Sequence, residues 1–253
     1  MPRALLVLVI WLVAATAWAG DAPPLPMTRI ADGVFVYAAP YELATPSNAD
    51  GISNVGFIVG ADAVAVIDTG GSYAVGQRLL AAVRAQTDRP IRYVINTHVH
   101  PDHVLGNAAF VGLGDRFVGH ANLPRALADR APGYLAATAR LIGDAAFAGT
   151  RAIPPDLLVA TPLTLDLGDR AILVEAWPTA HTNTDLTVLD ERTGSWFLGD
   201  LVFSGHVPAL DGSLKGWLSV LDAIASRPAV RVIPGHGPAT MPWPAVSSCS
   251  SAA

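Results

Sequence analysis

Short apolar runs of strand length alternate with longer amphipathic runs along most of the chain. Val34–Ala38, Val55–Val59 and Ala63–Ile67 are β-rich, with turns at Ala31-Asp32-Gly33 and Gly60-Ala61-Asp62, and are expected to be strands. Ala74–Gln86 places Val75, Leu79, Leu80 and Val83 at helical spacing, with Arg78 and Arg84 off that stripe. Ile91–Ile95 reads as a buried strand that runs straight into Thr97-His98. Leu123–Arg130 and Tyr134–Phe147 predict two helices, the first led by Asn122 as N-cap. Leu163–Leu167, Ala171–Ala176, Leu186–Leu189 and Trp196–Leu198 predict strands. Leu214–Ser226 predicts a short helix, and Val230–Ile233 a last strand. No fixed-period repeat and no linker divides this order. It predicts one α/β domain with two packed sheets and the helices outside.

The two ends depart from that pattern. Residues 1–19 combine Arg3, an apolar run from Ala4 to Ala17 and the triplet Ala17-Trp18-Ala19, the three parts of a cleavable signal peptide. The run is shorter than the roughly 20 apolar residues of a membrane span. The mature chain is therefore expected to start at Gly20, to be periplasmic or secreted, and to have no stable membrane insertion. Residues 20–28 form a Pro-rich leader with little to bury, and the folded domain is expected over 29–240. The stretch after His236 holds three Pro (Pro238, Pro242 and Pro244) and a Ser/Ala ending that cannot form a helix, and its last part is residues 241–253. They are expected to be a disordered tail of a truncated chain.

Composition narrows the function. Hydrophobic residues are 51 % and charged residues 15 % of the 253, the opposite of a disordered chain. A net charge of −5 makes a nucleic acid a poor partner. The single cysteine, Cys249, excludes an internal disulfide framework and a Cys-built metal site.

The chemistry lies in the histidines. Thr97-His98-Val99-His100-Pro101-Asp102-His103 sets three imidazoles and a carboxylate within six residues, just after a strand. Alternation puts His98 and His100 on one side, and Pro101 then breaks the strand so that Asp102 and His103 turn back from a loop. Without thiolates, such N and O donors suit Zn²⁺. His181, Asp200 and His236 each follow an apolar strand beside small or turn-forming residues. Together with the cluster they make seven donors, the number that two metal ions need.

This pattern resembles the metallo-β-lactamase superfamily, which implies an αββα sandwich of two mixed β-sheets with outer helices and a binuclear site at one edge. The resemblance implies one metal held by His98, His100 and His181, and a second by Asp102, His103 and His236, with Asp200 bridging. Asp68, in Val66-Ile67-Asp68-Thr69-Gly70, matches the superfamily's early strand-end aspartate; it either supports the histidine segment from behind or forms a turn. Aspartate at position 200, where some lactamases have cysteine, is similar to the glyoxalase-type hydrolases. The segments Tyr93–Phe110, His181–Asp190 and Leu198–Trp217 resemble the exported quinoprotein relay system zinc metallohydrolases. That likeness implies association with periplasmic quinoprotein metabolism.

Two Zn²⁺ ions with a bridging hydroxide would hydrolyse an ester, thioester, amide or phosphoester of a small molecule, with Asp102 and Asp200 in the catalytic centre. Iron is the alternative ion, in a mononuclear persulfide dioxygenase, and a non-catalytic metal or cofactor carrier is a further alternative. His206 and His120 also follow strand-like runs and either reach the pocket, to bind substrate or donate a proton, or stay in loops. Asp185 and Asp211 are expected to fix turns and loops, and Trp196 and Trp217 to line the core or pocket wall.

Overall fold

The computed structural model describes residues 23–243. The expected signal peptide over 1–19 and Cys249 lie outside the described residues. Among the described residues, thirteen strands form two sheets. The first contains β1 (Thr28–Ala31), β2 (Val34–Tyr37), β3 (Val55–Val59), β4 (Val64–Ile67), β5 (Ile91–Ile95), β6 (Gly114–His120) and β7 (Leu157–Val159), in that order. The second contains β8 (Leu163–Asp166), β9 (Ala171–Ala176), β10 (Leu186–Asp190), β11 (Ser195–Phe203), β12 (Arg231–His236) and β13 (Met241–Pro242). Both sheets are mixed: β4 to β7 are parallel, as are β11 and β12, and the other pairs are antiparallel. The helices are α1 (Tyr73–Gln86), α2 (Pro101–Val104), α3 (Leu123–Phe147) and α4 (Leu214–Ala225).

Strand alternation builds the layers. Ala65 and Ile67 of β4 join Val34, Val36, Ile58 and Ile95 in the core between the sheets, where they meet Ile172, Val174, Val188 and Phe197. Val64 and Val66 face the other way, onto Val75, Leu79 and Val83 of α1. Trp217, Val220 and Ile224 of α4 cover Trp196, Leu198 and Val232 on the outer face of the second sheet. The expected αββα sandwich is therefore the observed fold. Arg170 staples the sheets at one end. Its guanidinium donates to Asp190 at 3.0 and 2.7 Å and to the Val59 and Asp32 carbonyls, both at 2.8 Å. No helix among the described residues is long and apolar enough to cross a membrane.

Several expectations need correction. Within Leu123–Phe147 the helix runs unbroken through Pro132, and the break between two helical stretches falls at Gly143 (φ 77°) rather than near the proline. Leu25, in the leader, is 3 % exposed and packs with Val75 and Leu79, so the domain begins before residue 29. At the other end, Met241 and Pro242 pair with Val232 and Arg231, and the Trp243 ring lies 5.9 Å from that of Trp196. Backbone pairing and an apolar ring contact thus hold residues 241–243, which were expected to be disordered.

Candidate metal centre

Strand ends, turns and the short helix α2 at one edge of the sandwich carry the site. β5 ends at Ile95, and the chain passes through His98 and His100 into α2. Asp102 and His103 are therefore on a helical turn opened by Pro101 rather than on a loop. Two bonds anchor this segment to the start of β10 and the turn before it: Leu186 N–H donates to the Thr97 carbonyl at 2.7 Å, and Val99 N–H to the Thr184 side-chain Oγ1 at 3.1 Å. His181 comes from the turn between β9 and β10, and His236 ends β12. Asp200 lies inside β11, which runs five residues past the expected end at Leu198. A register shift at Gly199 (φ 53°) turns Asp200 inward.

The seven expected donors converge in two groups. His98, His100, His181 and Asp200 form one, and Asp102, His103 and His236 the other; within each group the candidate ligand atoms lie within 4.8 Å of one another. Asp200 joins them. Its Oδ2 is 3.5 Å from His98 Nε2, 3.4 Å from His181 Nε2 and 3.5 Å from His236 Nε2, and its Oδ1 is 3.1 Å from His103 Nε2. Asp102 Oδ2 approaches His236 Nε2 at 3.3 Å and His103 Nε2 at 3.5 Å. His181 Nε2 faces His100 Nδ1 at 3.0 Å.

Groups outside the cluster fix which nitrogen each ring turns inward. Asp68 takes three bonds: from Thr97 N–H at 2.8 Å, Thr97 Oγ1 at 2.7 Å and His103 Nδ1 at 2.8 Å. Since Thr97 Oγ1 donates to Asp68, it accepts from His98 Nδ1 at 3.0 Å. His236 Nδ1 donates to the Ile52 carbonyl at 3.0 Å. Of the two readings of Asp68, the structure places it behind the histidine segment, 2 % exposed and at a positive φ of 54° that few non-glycine residues adopt.

These bonds leave His98 Nε2 and His103 Nε2 facing inward, His98 Nε2 buried without a hydrogen bond and His103 Nε2 facing only the carboxylates. Buried polar atoms are almost always satisfied, so atoms aimed at a common point without partners fit a bound cation. Charge separates the two groups. Burial, reinforced by neighbouring imidazoles, holds His98 well below the usual histidine range and lowers His100. Burial opposes charging of His103 and His236, but carboxylates outweigh it. Asp200, Asp102 and Asp68 raise His103 well above the ordinary value, and Asp102 and Asp200 push His236 up to about 9. Conversely, burial would raise the two aspartates, but His103 leads in pulling Asp200 well below the carboxylate range and Asp102 down to about 2.

His206 stands at the rim, its ring 5.0 Å from that of His236 and 4.2 Å from Tyr41. The His120 ring instead accepts from Asn122 N–H at 2.9 Å, fixing the turn into α3, and belongs to neither donor group. Asp185 fixes a turn as expected, accepting from Thr182 N–H and Oγ1. Asp211 does more than hold a loop. Its Oδ2 reaches His100 Nε2 at 3.4 Å and Arg130 at 3.2 Å. Trp196 is core, whereas Trp217 packs its ring 5.0 Å from that of His181. Sequence reasoning missed Asn54, whose side chain donates to the Pro234 carbonyl at 2.9 Å and whose N–H donates to Gly235 O at 2.7 Å, holding the His236 turn. It also missed Asn96 and Thr69, which donate to the His103 carbonyl, both at 3.2 Å.

The profile of the Metallo-beta-lactamase superfamily matches residues 48–236, and the chain belongs to that superfamily. A metallo-beta-lactamase from Pontibacter korlensis superposes with a TM-score of 0.70 at 21 % identity, covering 89 % of this chain and 96 % of that one. The metallo-beta-lactamase FIM-1 from Pseudomonas aeruginosa, in its mono-zinc form, gives 0.69 at 20 %, covering 92 % and 96 %. At these identities the likeness is one of fold. A linear primary-alkylsulfatase from a Pseudomonas species is 44 % identical over 46 residues, a match spanning 18 % of this chain and 9 % of the sulfatase. The superfamily and the His/Asp cluster together suggest a metallohydrolase.

Proposed function

We propose that the chain is an exported binuclear zinc hydrolase of a small molecule. His98, His100 and His181 would hold one ion and Asp102, His103 and His236 the other, with Asp200 between them. One observation carries the assignment: two donor groups meet at Asp200, with His98 Nε2 buried there without a hydrogen bond and His103 Nε2 facing only the carboxylates, Asp200 Oδ1 at 3.1 Å. Bound Zn²⁺ supplies a Lewis acid and lowers the pKa of its water to about 7, so no separate general base is required.

The chain's own residues hold and orient. Asp102 and Asp200 offset part of the charge of two dications and keep them close. Asp68 and the Ile52 carbonyl fix the tautomers of His103 and His236, and Asp211 with Arg130 braces His100 from outside. His206 and Tyr41 flank the mouth, where they would contact substrate. The bond class is an ester, thioester, amide or phosphoester, and the short likeness to an alkylsulfatase adds sulfate esters to those worth assaying. Export rests on the residue pattern of 1–19. The quinoprotein association rests on the three segments that resemble that group.

Metal analysis of the purified mature chain, with assays on these ester classes, tests the proposal. Two zinc ions per chain, and turnover abolished in His98→Ala and Asp200→Asn, are the expected result. One iron per chain with oxygen consumption would replace it with the dioxygenase. Full zinc loading with no turnover of any class would replace it with a carrier.

A further inference from the structure

The edge of the sandwich away from the metal centre carries a concentration of positive charge. β9 begins next to Arg170 and ends toward His181, β10 ends just before Arg192, and β5 begins just after Arg89 and ends toward His98. The same strands therefore carry histidine donors at one edge and three arginines at the other. A cavity of about 290 Å³ opens at the arginine edge, between the β1–β2 turn, the β3–β4 turn and the end of α1. Arg29, Arg89, Arg170 and Arg192 line it, and Asp32 is the one carboxylate among its lining residues. A recess of this size suits a small molecule rather than a protein surface.

The four guanidiniums have different parts. Arg170 is a fixed floor, 3 % exposed, held by Asp190 and by the Val59 and Asp32 carbonyls. Those bonds occupy four of its five N–H groups, and one on Nη1 is left without a partner among the described residues. Gly33 lets the β1–β2 turn close on that nitrogen, since a Cβ there would fall 2.4 Å from Nη1. Arg29 pairs with Asp32 at 2.6 Å. Arg89 and Arg192 are exposed and make no ion pair among the described residues. Asp190 balances Arg170 and Asp32 balances Arg29, so two arginine charges stay uncompensated in a chain of net charge −5. Asp62, Asp88 and Glu191, the nearest acidic residues in sequence, do not line the cavity, and the Asp62 carboxylate lies against Gly168 instead. Surplus charge in a recess draws in a counter-charge, and paired guanidinium forks match the oxygens of phosphate and carboxylate groups. Phe35, stacked on Phe57 at 4.8 Å, adds an apolar face to the wall for the carbon skeleton of a ligand.

We propose that this cavity binds a small organic dianion, a phosphate monoester or a dicarboxylate, through Arg89 and Arg192 over the Arg170 floor. The site is separate from the metal centre and does not rest on the hydrolase reading.

The test titrates the zinc-loaded mature chain by calorimetry with two dianions at constant ionic strength. Phenylphosphonate carries the charge of a phosphate monoester without its hydrolysable bond, and succinate represents the dicarboxylates. Each is compared with its singly charged methyl ester. A loaded metal centre also attracts anions, so His98→Ala is titrated beside the wild type, and the double variant Arg89→Gln/Arg192→Gln beside both. The expected result is a site for one dianion per chain that His98→Ala keeps and that favours the dianion over its methyl ester about tenfold or more. The double variant should weaken that site about tenfold or more while zinc content stays unchanged. The tighter of the two dianions then tells phosphate from carboxylate. Binding that the methyl esters match, that the double variant leaves intact, or that disappears in His98→Ala overturns the proposal, as does the absence of binding. If the double variant does not fold, Arg192→Gln alone, in the exposed turn after β10, makes the same comparison.

Discussion

Asp68 spends both carboxylate oxygens on three donors, two from Thr97 and one from His103, and so aligns two ring systems at once. An amide of the same shape would turn an NH₂ toward donors and lose the charge that favours His103 Nδ1–H. Asp68→Asn is therefore expected to weaken zinc binding about 10- to 100-fold, the usual cost of removing such an outer partner, with the fold retained. Competition with a chelating dye measures it, and wild-type affinity would show that Asp68 only shapes its turn. Gly235 presents a different constraint, because a Cβ there would fall 1.9 Å from Asp200 Oδ1 and 2.8 Å from Asp200 N. Gly235→Ala must push that carboxylate off the line between the donor groups. Fewer than two zinc ions per chain with a folded circular dichroism spectrum is the expected outcome. The seven donors were legible because they are ligand residue types, densely spaced or following apolar strands. Asn54 and Asp211 were not, since each acts on a partner far along the chain through contacts that only the fold creates.

Elements were legible where one rule governed them and less so where two competed. The stripe of α1 and the β-branched runs of β3 and β5 fall within a residue of their expected bounds. β11 outran its expected end because Gly199 and Asp200 read as turn residues, yet pairing with β12 carries the backbone through them to Phe203. In α3, Pro132 reads as a break, but the helix absorbs it and departs from helical geometry at Gly143 instead. The start of α1 shows a local cap linked to the rest of the fold. Ser72 Oγ accepts from Val75 N–H at 3.3 Å and donates to the Ala49 carbonyl at 2.6 Å. Ser72→Ala should cost about 1 kcal/mol, and up to about 2 because a buried carbonyl also loses its donor. Urea denaturation checks this: a lower midpoint with an unchanged slope and unchanged zinc content places the effect in the cap alone.

At the scale of the whole molecule, a stable sandwich holds ionisable groups that its core would otherwise reject. Inter-sheet packing of Ile67, Ile95 and Phe197, with Arg170 clamped to Asp190 at one end, holds the loops at the site edge in place. In metal-free protein, the carboxylates then keep His103 and His236 protonated. A histidine whose pKa is raised on folding contributes stability fully below its ordinary value of 6.5, and that contribution is lost as pH rises through the folded value, about 9 for His236. Asp185 and Asp50, raised chiefly by burial to about 6 and about 7, have ionised by then, and His98 and His100 are neutral throughout. The metal-free protein should therefore melt at progressively lower temperature from about pH 7 to about pH 9. Zinc bound as proposed would take the place of those protons and would no longer be opposed by them at high pH, so the stabilisation it adds should widen over the same window. Melting curves with and without zinc at several pH values measure the gap, and a gap that narrows as pH rises would mean that zinc does not bind through His103 and His236.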